Sequence, residues 1–250
     1  MWLSLLIFSF ASVQSFTEEK FRVDCVPGQQ SDQALCINRG CIWEPPTADL
    51  SAPACYFTEE YGYKAYGEVF SIPAGKQVDL YKSDDRTLFG GNFANVSIIF
   101  EYQTSSRLRV KIYPTDTSRY EVPIEIEGTG EAVEDTEYLL EFNYEPTFSF
   151  KVIRKSSGSV LFNSAMGGLT MSEQFLQIAS FLPSENIYGF AEQEQPSFKH
   201  EMNWKTWGMF ARDHAPEGDA NLYGVHPRYT VLENDGNAHG VLILNSRSLG

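Results

Sequence analysis

Positive charge is scarce in this 250-residue chain: 19 Lys and Arg stand against 33 Asp and Glu, for a formal charge of −14 at pH 7. Such a surface repels phosphate backbones and anionic lipid headgroups, which argues against nucleic acid and polybasic membrane docking and leaves neutral polar ligands open. Histidine is scarce too. His200, His214, His226 and His239 show no H-x-x-x-H spacing and no matching carboxylate set, so no metal site is expected. There is no G-x-S-x-G elbow, and the glycine pair in Phe89-Gly90-Gly91-Asn92-Phe93 precedes no helical pattern, so it reads as a turn rather than a phosphate cradle. No cofactor is expected. Beyond the amino terminus no stretch approaches the roughly 18 consecutive apolar residues that span a bilayer, and membrane anchoring is not expected from this segment.

Apolar residues make up 42% of the chain and aromatic residues 14%, enough to build a core for one or two domains. The opening residues carry an apolar run from Trp2 to Phe10, followed by Val13 and Ser15 at the small-residue positions before a cleavage site. Residues 1–15 therefore read as a secretory signal whose positive charge comes from the free amino terminus alone. All four cysteines, Cys25, Cys36, Cys41 and Cys55, are crowded among Pro and Gly, and in an oxidising compartment they read as disulfides of a module too small for a core of its own. Zinc is the rival reading, but the spacing lacks a C-x-x-C pair. Asn95-Val96-Ser97 is a glycosylation sequon.

After Tyr61 the pattern turns to period two. Leu108, Val110 and Ile112 alternate with Arg107, Arg109 and Lys111; Val122, Ile124 and Ile126 alternate with Glu125 and Glu127; Phe148, Phe150 and Val152 share a face before a turn at Ser156, Ser157 and Gly158. A hairpin with Asp235 and Gly236 at its tip is expected near the end. Many short strands without a convincing amphipathic helix predict a mainly β fold, a β-sandwich. Between two aromatic segments lies a long polar loop, residues 211–229, carrying Arg212, Asp213, His214, Glu217, Asp219 and His226. Loops of that length are usually functional or disordered, and Leu222, Tyr223 and Val225 argue against disorder.

The cysteine stretch, from "DCVPGQQSDQALC" to "ACYF", resembles the trefoil, or P-type, module. That module has six cysteines bonded first to fifth, second to fourth and third to sixth. Here no Cys precedes "RVDC" and Ile42 occupies another cysteine position, so both partners of one bridge are missing together. The resemblance implies Cys25–Cys41 and Cys36–Cys55, each closing a loop for about 3 kcal/mol of stabilisation. Ala54 stands where the family often has a sugar-stacking Trp, so the module reads as a packing or spacing unit, with sugar binding the alternative.

"ENIYGFAEQ" (Glu185–Gln193), "HEMNWKTWGMFARD" (His200–Asp213), "NLYGVHPRY" and "AHGVLILNS" resemble, in that order, the N-terminal β-sandwich of glycoside hydrolase family 31 α-glucosidases, enzymes that also carry a trefoil ahead of it. Ala191 and Gln193 depart from the Gly and His that relatives often have. The resemblance implies a signal (1–15), a trefoil (21–58) and a galactose-mutarotase-like antiparallel sandwich (61–250) that is incomplete at its C-terminus, without the catalytic barrel. It implies that Asp213, three residues before Pro216, accepts a hydrogen bond from a substrate hydroxyl of an α-glucoside oligosaccharide in the full-length parent, while no residue of this segment is catalytic. The structural alternative is that Asp213 braces the turn before Pro216. The expected destination is the secretory pathway, extracellular or lysosomal. Two other readings stay open: a stand-alone secreted carbohydrate- or partner-binding protein, and a mutarotase-like epimerase for which no acid–base pair can be assigned.

Overall fold

The computed structural model describes residues 18–126, 128, 130–218 and 220–245. The expected signal lies outside the described residues. The first unit is the cysteine module. Asp32 caps the only α-helix among the described residues, α1 (Gln33–Asn38), by accepting the Leu35 N–H at 2.7 Å. Strands β1 (Ile42–Trp43) and β2 (Cys55–Tyr56) pair antiparallel. Disulfides join Cys25 to Cys41 and Cys36 to Cys55, with Cα separations of 6.5 and 5.6 Å. Their buried sulfurs and Val26 form the small core that Phe57 and Tyr61 complete. Arg22 is buried, so its charge needs partners. It donates to the Glu44 carbonyl at 2.9 Å, pairs with the Glu44 carboxylate and lies 4.4 Å from the centre of the Tyr56 ring.

The sandwich follows. Strands β3 (Tyr63–Ala65), β5 (Gly75–Lys82), β6 (Asn95–Thr104) and β7 (Arg107–Pro114) form one sheet in that order, with β4 (Phe70–Ile72) pairing β5. Strands β8 (Tyr138–Asn143), β9 (Ser149–Arg154) and β10 (Val160–Asn163) form a second, with β9 at its centre. Register sets Leu80 opposite Val96 and Val78 opposite Ile98, so these four point inward together. They meet Leu140, Phe148, Phe150 and Val152 of the second sheet. Phe100 sits between the layers, edge-on to Phe142 and Phe150 at 5.3 and 5.0 Å. Gly75 is needed here: a Cβ would lie 2.0 Å from the Phe100 carbonyl oxygen.

The period-two expectation holds for β7, whose Leu108, Val110 and Ile112 pack on the core, and for β9. It fails for residues 120–126, which form no strand, and Ile124 is 62% exposed. Pro123 removes a ladder donor, and Ile124 N–H closes a tight turn on the Val122 carbonyl at 2.8 Å instead. The glycine pair at 90–91 does lie in a turn, and its neighbour Phe89 seats the cysteine module. Phe89 stacks on Phe175 at 4.0 Å, Arg39 lies 5.0 Å over its ring, and Arg86 donates to the Gly40 carbonyl at 2.6 Å.

A short ribbon, β11 (Thr170–Met171) with β12 (Leu176–Gln177), leads to a third sheet. This sheet, ordered β13 (Ile187–Gly189), β14 (Arg228–Leu232), β15 (Ala238–Leu242), has its own apolar cluster around Ile187, Tyr229 and Val231. The expected hairpin turns at Asp235 and Gly236 between β14 and β15. What fastens it to the sandwich is a buried carboxylate. Glu233 has a fully buried side chain, accepts Arg154 Nη2 at 2.5 Å and lies 3.1 Å from His239 Nδ1. Burial opposes the Glu233 charge, but the bonds from Arg154 and His239 win and hold its pKa below the ordinary carboxylate value. Just past β13, Phe190 and Ala191 have φ of 59° and 72°, left-handed backbone that costs a non-glycine residue roughly 1–2 kcal/mol.

Two outcomes are expected in chemical denaturation. Glu233→Gln leaves Arg154 without its anion and lowers stability by about 3–5 kcal/mol at neutral pH. Because the folded pKa of Glu233 is depressed, its contribution is full above the unfolded carboxylate pKa and is lost as pH falls through the folded one. The variant's midpoint therefore varies less between pH 7 and acid than the wild type's. Ala191→Gly relieves left-handed strain while loosening the unfolded chain, for a net gain of about 0.5–1 kcal/mol.

Candidate functional site

The long polar loop hangs from the third sheet, and the sheet's pairing extends into it. Past the Gly189–Tyr229 pair, Phe190 N–H donates to the Arg228 carbonyl at 2.9 Å, Leu222 N–H to Glu192 at 2.9 Å and Glu194 N–H to Ala220 at 2.8 Å. Glu192 N–H donates in turn to the Gly224 carbonyl at 3.2 Å. Gly189 allows the crossing: a Cβ there would meet the Arg228 carbonyl oxygen at 2.4 Å. The result is an irregular two-stranded ribbon, and the segment after Glu194 folds back on the third sheet, where His200 N–H donates to the Ile187 carbonyl at 2.9 Å. A third segment joins it where Arg212 N–H donates to the Leu222 carbonyl at 3.2 Å and Arg212 Nε to the Asn221 carbonyl at 3.0 Å.

Asp213 follows immediately and is exposed. Its Oδ1 accepts the Tyr223 hydroxyl at 2.9 Å, a bond that also raises the Tyr223 pKa above the ordinary phenol value. Among the described residues no other group is bonded to this carboxylate. Lone pairs therefore remain for a neutral hydroxyl donor, and a bond from a sugar O–H to a carboxylate is roughly twice as strong as one to a neutral acceptor. On the same backbone segments Phe210, Tyr223 and Val225 are 45%, 54% and 38% exposed, an aromatic and apolar rim unlike the polar loop tip. Of the other loop residues, Arg212 is used as a brace. His214 keeps local company, its Nδ1 against the Ala215 carbonyl at 2.6 Å and its Nε2 3.8 Å from Glu217. The His226 carbonyl accepts Arg228 N–H at 2.6 Å. Asp219 lies outside the described residues.

Tyr223 and Glu192 were not foreseen as partners of this loop. Glu192 accepts the Gly224 N–H with its side chain at 2.8 Å while its backbone runs the ribbon. Gln193 braces the same turn, giving its amide to the Gly208 and Phe190 carbonyls at 2.7 and 3.2 Å. Four buried polar atoms in this segment have no hydrogen-bond partner: Gln193 Oε1, Glu194 Oε2, His200 Nδ1 and Trp207 Nε1. The four histidines do not converge. His200 is buried between Phe190 and Trp207, and His239 belongs to the Glu233 clamp. The sulfurs of Cys25, Cys41 and Cys55 lie within 4.8 Å of one another, a packing of two disulfides rather than free thiolate ligands. Asn95 sits elsewhere, on the outer face of the first sheet, its amide bonded to Tyr66 and Asp116. No described helix is long and apolar enough to cross a membrane.

Residues 15–58 match the trefoil (P-type) domain family. The chain is 37% identical over 243 residues, 94% of its length, to intestinal sucrase-isomaltase of Oryctolagus cuniculus. It is 36% identical over 244 residues, 92% of its length, to probable maltase-glucoamylase 2 of Homo sapiens. With lysosomal alpha-glucosidase of Bos taurus it shares 35% identity over 232 residues, 91% of its length. It spans only 13%, 10% and 24% of those relatives' own lengths. The braced ribbon and its aromatic rim thus belong to a chain that carries a trefoil (P-type) domain and is homologous over nine tenths of its length to part of the glycoside hydrolase family 31 α-glucosidases.

Proposed function

We propose that these residues are the non-catalytic amino-terminal portion of a secretory-pathway α-glucosidase, and that the Asp213 loop borders the substrate pocket of the catalytic part. The parent reaction is retaining hydrolysis of terminal α-linked glucose from maltose-like oligosaccharides. Such chemistry needs two carboxyl groups about 5–5.5 Å apart, one to attack the anomeric carbon and one to protonate the departing oxygen. In this reading both belong to another part of the same polypeptide.

The observation that carries the proposal is the exposed Asp213 carboxylate, oriented by Tyr223 at the head of a braced ribbon. A loop that only closed a turn would not need three backbone segments to hold it. The exposed side chains of Phe210, Tyr223 and Val225 support a second surface lying against this segment, because apolar groups left in water gain by burial. The role of Asp213 is to bind and orient a sugar hydroxyl; it does not attack or protonate. The disulfides and the sequon fit passage through an oxidising lumen, with the cell exterior or the lysosome as destination.

Purified chain incubated with maltose is expected to release no glucose above a blank, and turnover abolished by a change within this segment would overturn the reading. In the full-length polypeptide, Asp213→Ala is expected to lower kcat/KM for maltose about 10- to 100-fold, the loss of one bond to a charged acceptor. Tyr223→Phe, which frees the carboxylate to rotate, should lower it less. An unchanged kcat/KM in Asp213→Ala would remove the loop from the pocket.

A further inference from the structure

One concavity of the described residues lies away from the Asp213 loop. It is a cavity of about 540 Å³ on the outer face of the first sheet, lined by Tyr66, Gln77, Asp79, Asn95, Ser97 and Tyr113. That volume falls within the roughly 300–1,000 Å³ typical of small-ligand pockets. Its floor is Ser97, buried to 1% exposure, whose hydroxyl donates to Asp79, which also accepts the Gln77 amide at 2.9 Å. At the rim stands Tyr66, 65% exposed, its ring tilted against Tyr81 at 4.9 Å and its hydroxyl donating to Asn95 Oδ1 at 2.6 Å. The Asn95 amide donates to Asp116 at 2.8 Å.

The chemistry of this wall selects its occupant. It offers one carboxylate, amides, hydroxyls and two phenol rings but no cation, so phosphate and other anions are disfavoured and a neutral polyol is suited. An exposed ring beside hydrogen-bonding groups matches a pyranose, which has an apolar face and a polar edge. Asn95, which lines the cavity, is also the acceptor of the Asn95-Val96-Ser97 sequon. In the folded chain Ser97 is buried and committed to Asp79, so the sequon is legible to a transferase only before this sheet closes.

We propose that Asn95 carries an N-linked glycan and that its first sugars lie in this groove, packed on Tyr66. In the attachment step Asn95 Nδ2 bonds to the anomeric carbon of the first N-acetylglucosamine of a lipid-diphosphate-linked oligosaccharide. The bond from that carbon to the diphosphate breaks, the lipid diphosphate leaves with the electron pair, and one amide proton passes to a base of the transferase. The remaining amide proton stays available to Asp116. Seated in this way, the sugars cover polar groups of an outer sheet face and shield the glycosyl–asparagine bond. The proposal rests on the secretory reading above.

The test expresses the full chain in animal cells, with its own leader and in parallel behind a heterologous secretion leader. Mass spectrometry of the exported protein should show Asn95 occupied, and Asn95→Gln should lack the glycan. Release of the glycan from native protein by peptide-N-glycosidase should be about three- to tenfold faster in Tyr66→Ala than in wild type. Tyr66→Phe, which keeps the ring, and Tyr120→Ala, an exposed tyrosine elsewhere, should match wild type. An unoccupied Asn95 in protein exported by the heterologous leader overturns the proposal, as does an equal release rate in Tyr66→Ala. Failure of the chain's own leader alone counts against the secretory reading, because the other arm still decides Asn95.

Discussion

A buried anion holds the two halves of the β region together. Glu233 sits at the end of β14 with no access to water, and Arg154 reaches it from the end of β9 in the opposite sheet. Because a lone carboxylate there would be costly, the pair forms only when the third sheet lies against the second in one arrangement. Arg154 Nη2 also donates to the Ala238 carbonyl at 3.1 Å, which fixes the hairpin's second strand. The sandwich core could close without this contact, since Phe100 and its neighbours bury themselves between the first two sheets. The third sheet, from which the loop bearing Asp213 hangs, is tied to the second by this pair and by Ser159 Oγ donating to Asp235 at 3.1 Å.

The placement of the Asp213 loop therefore depends on a relay of rigid parts. Sandwich packing fixes β9, the Arg154–Glu233 pair fixes β14, and β14 with β13 extends into the ribbon that presents Asp213. At the opposite end the cysteine module is attached by a different chemistry. There the contacts are aromatic and cationic, with Arg39 over Phe89 and Lys82 over Tyr61, as expected where a disulfide-stapled module has little apolar surface to share. The module contributes no side chain to the Asp213 loop among the described contacts.

Period-two patterning made the sandwich legible. Where the alternation runs without a proline and finds a partner strand, as in β7 and β9, the pattern and the sheet coincide. At residues 120–126 the same alternation meets a proline and finds no partner, and the strand does not form. The two bridges were legible only through the resemblance, because four cysteines by themselves allow three pairings. Asp213 stood out for the same reason. Its restraint by Tyr223, ten residues on, and the Arg154–Glu233 pair, 79 residues apart, carry no local signal; such contacts exist only after the sheets have assembled. The departure at Ala191, by contrast, had a readable cause. The resemblance implies a frequent glycine at 191, the backbone there is left-handed, and alanine occupies it under strain.

The central claim is that Asp213 is presented by a fixed ribbon rather than by a loose loop. Native-state hydrogen exchange tests this most directly. The amides of Phe190, Glu192, Glu194 and Leu222 should be protected to the same degree as those of β14, while the amides of His214, Ala215, Glu217 and Gly218 exchange freely. If the ribbon amides exchange as fast as the loop tip while β14 stays protected, the carboxylate has no fixed position and the account is contradicted.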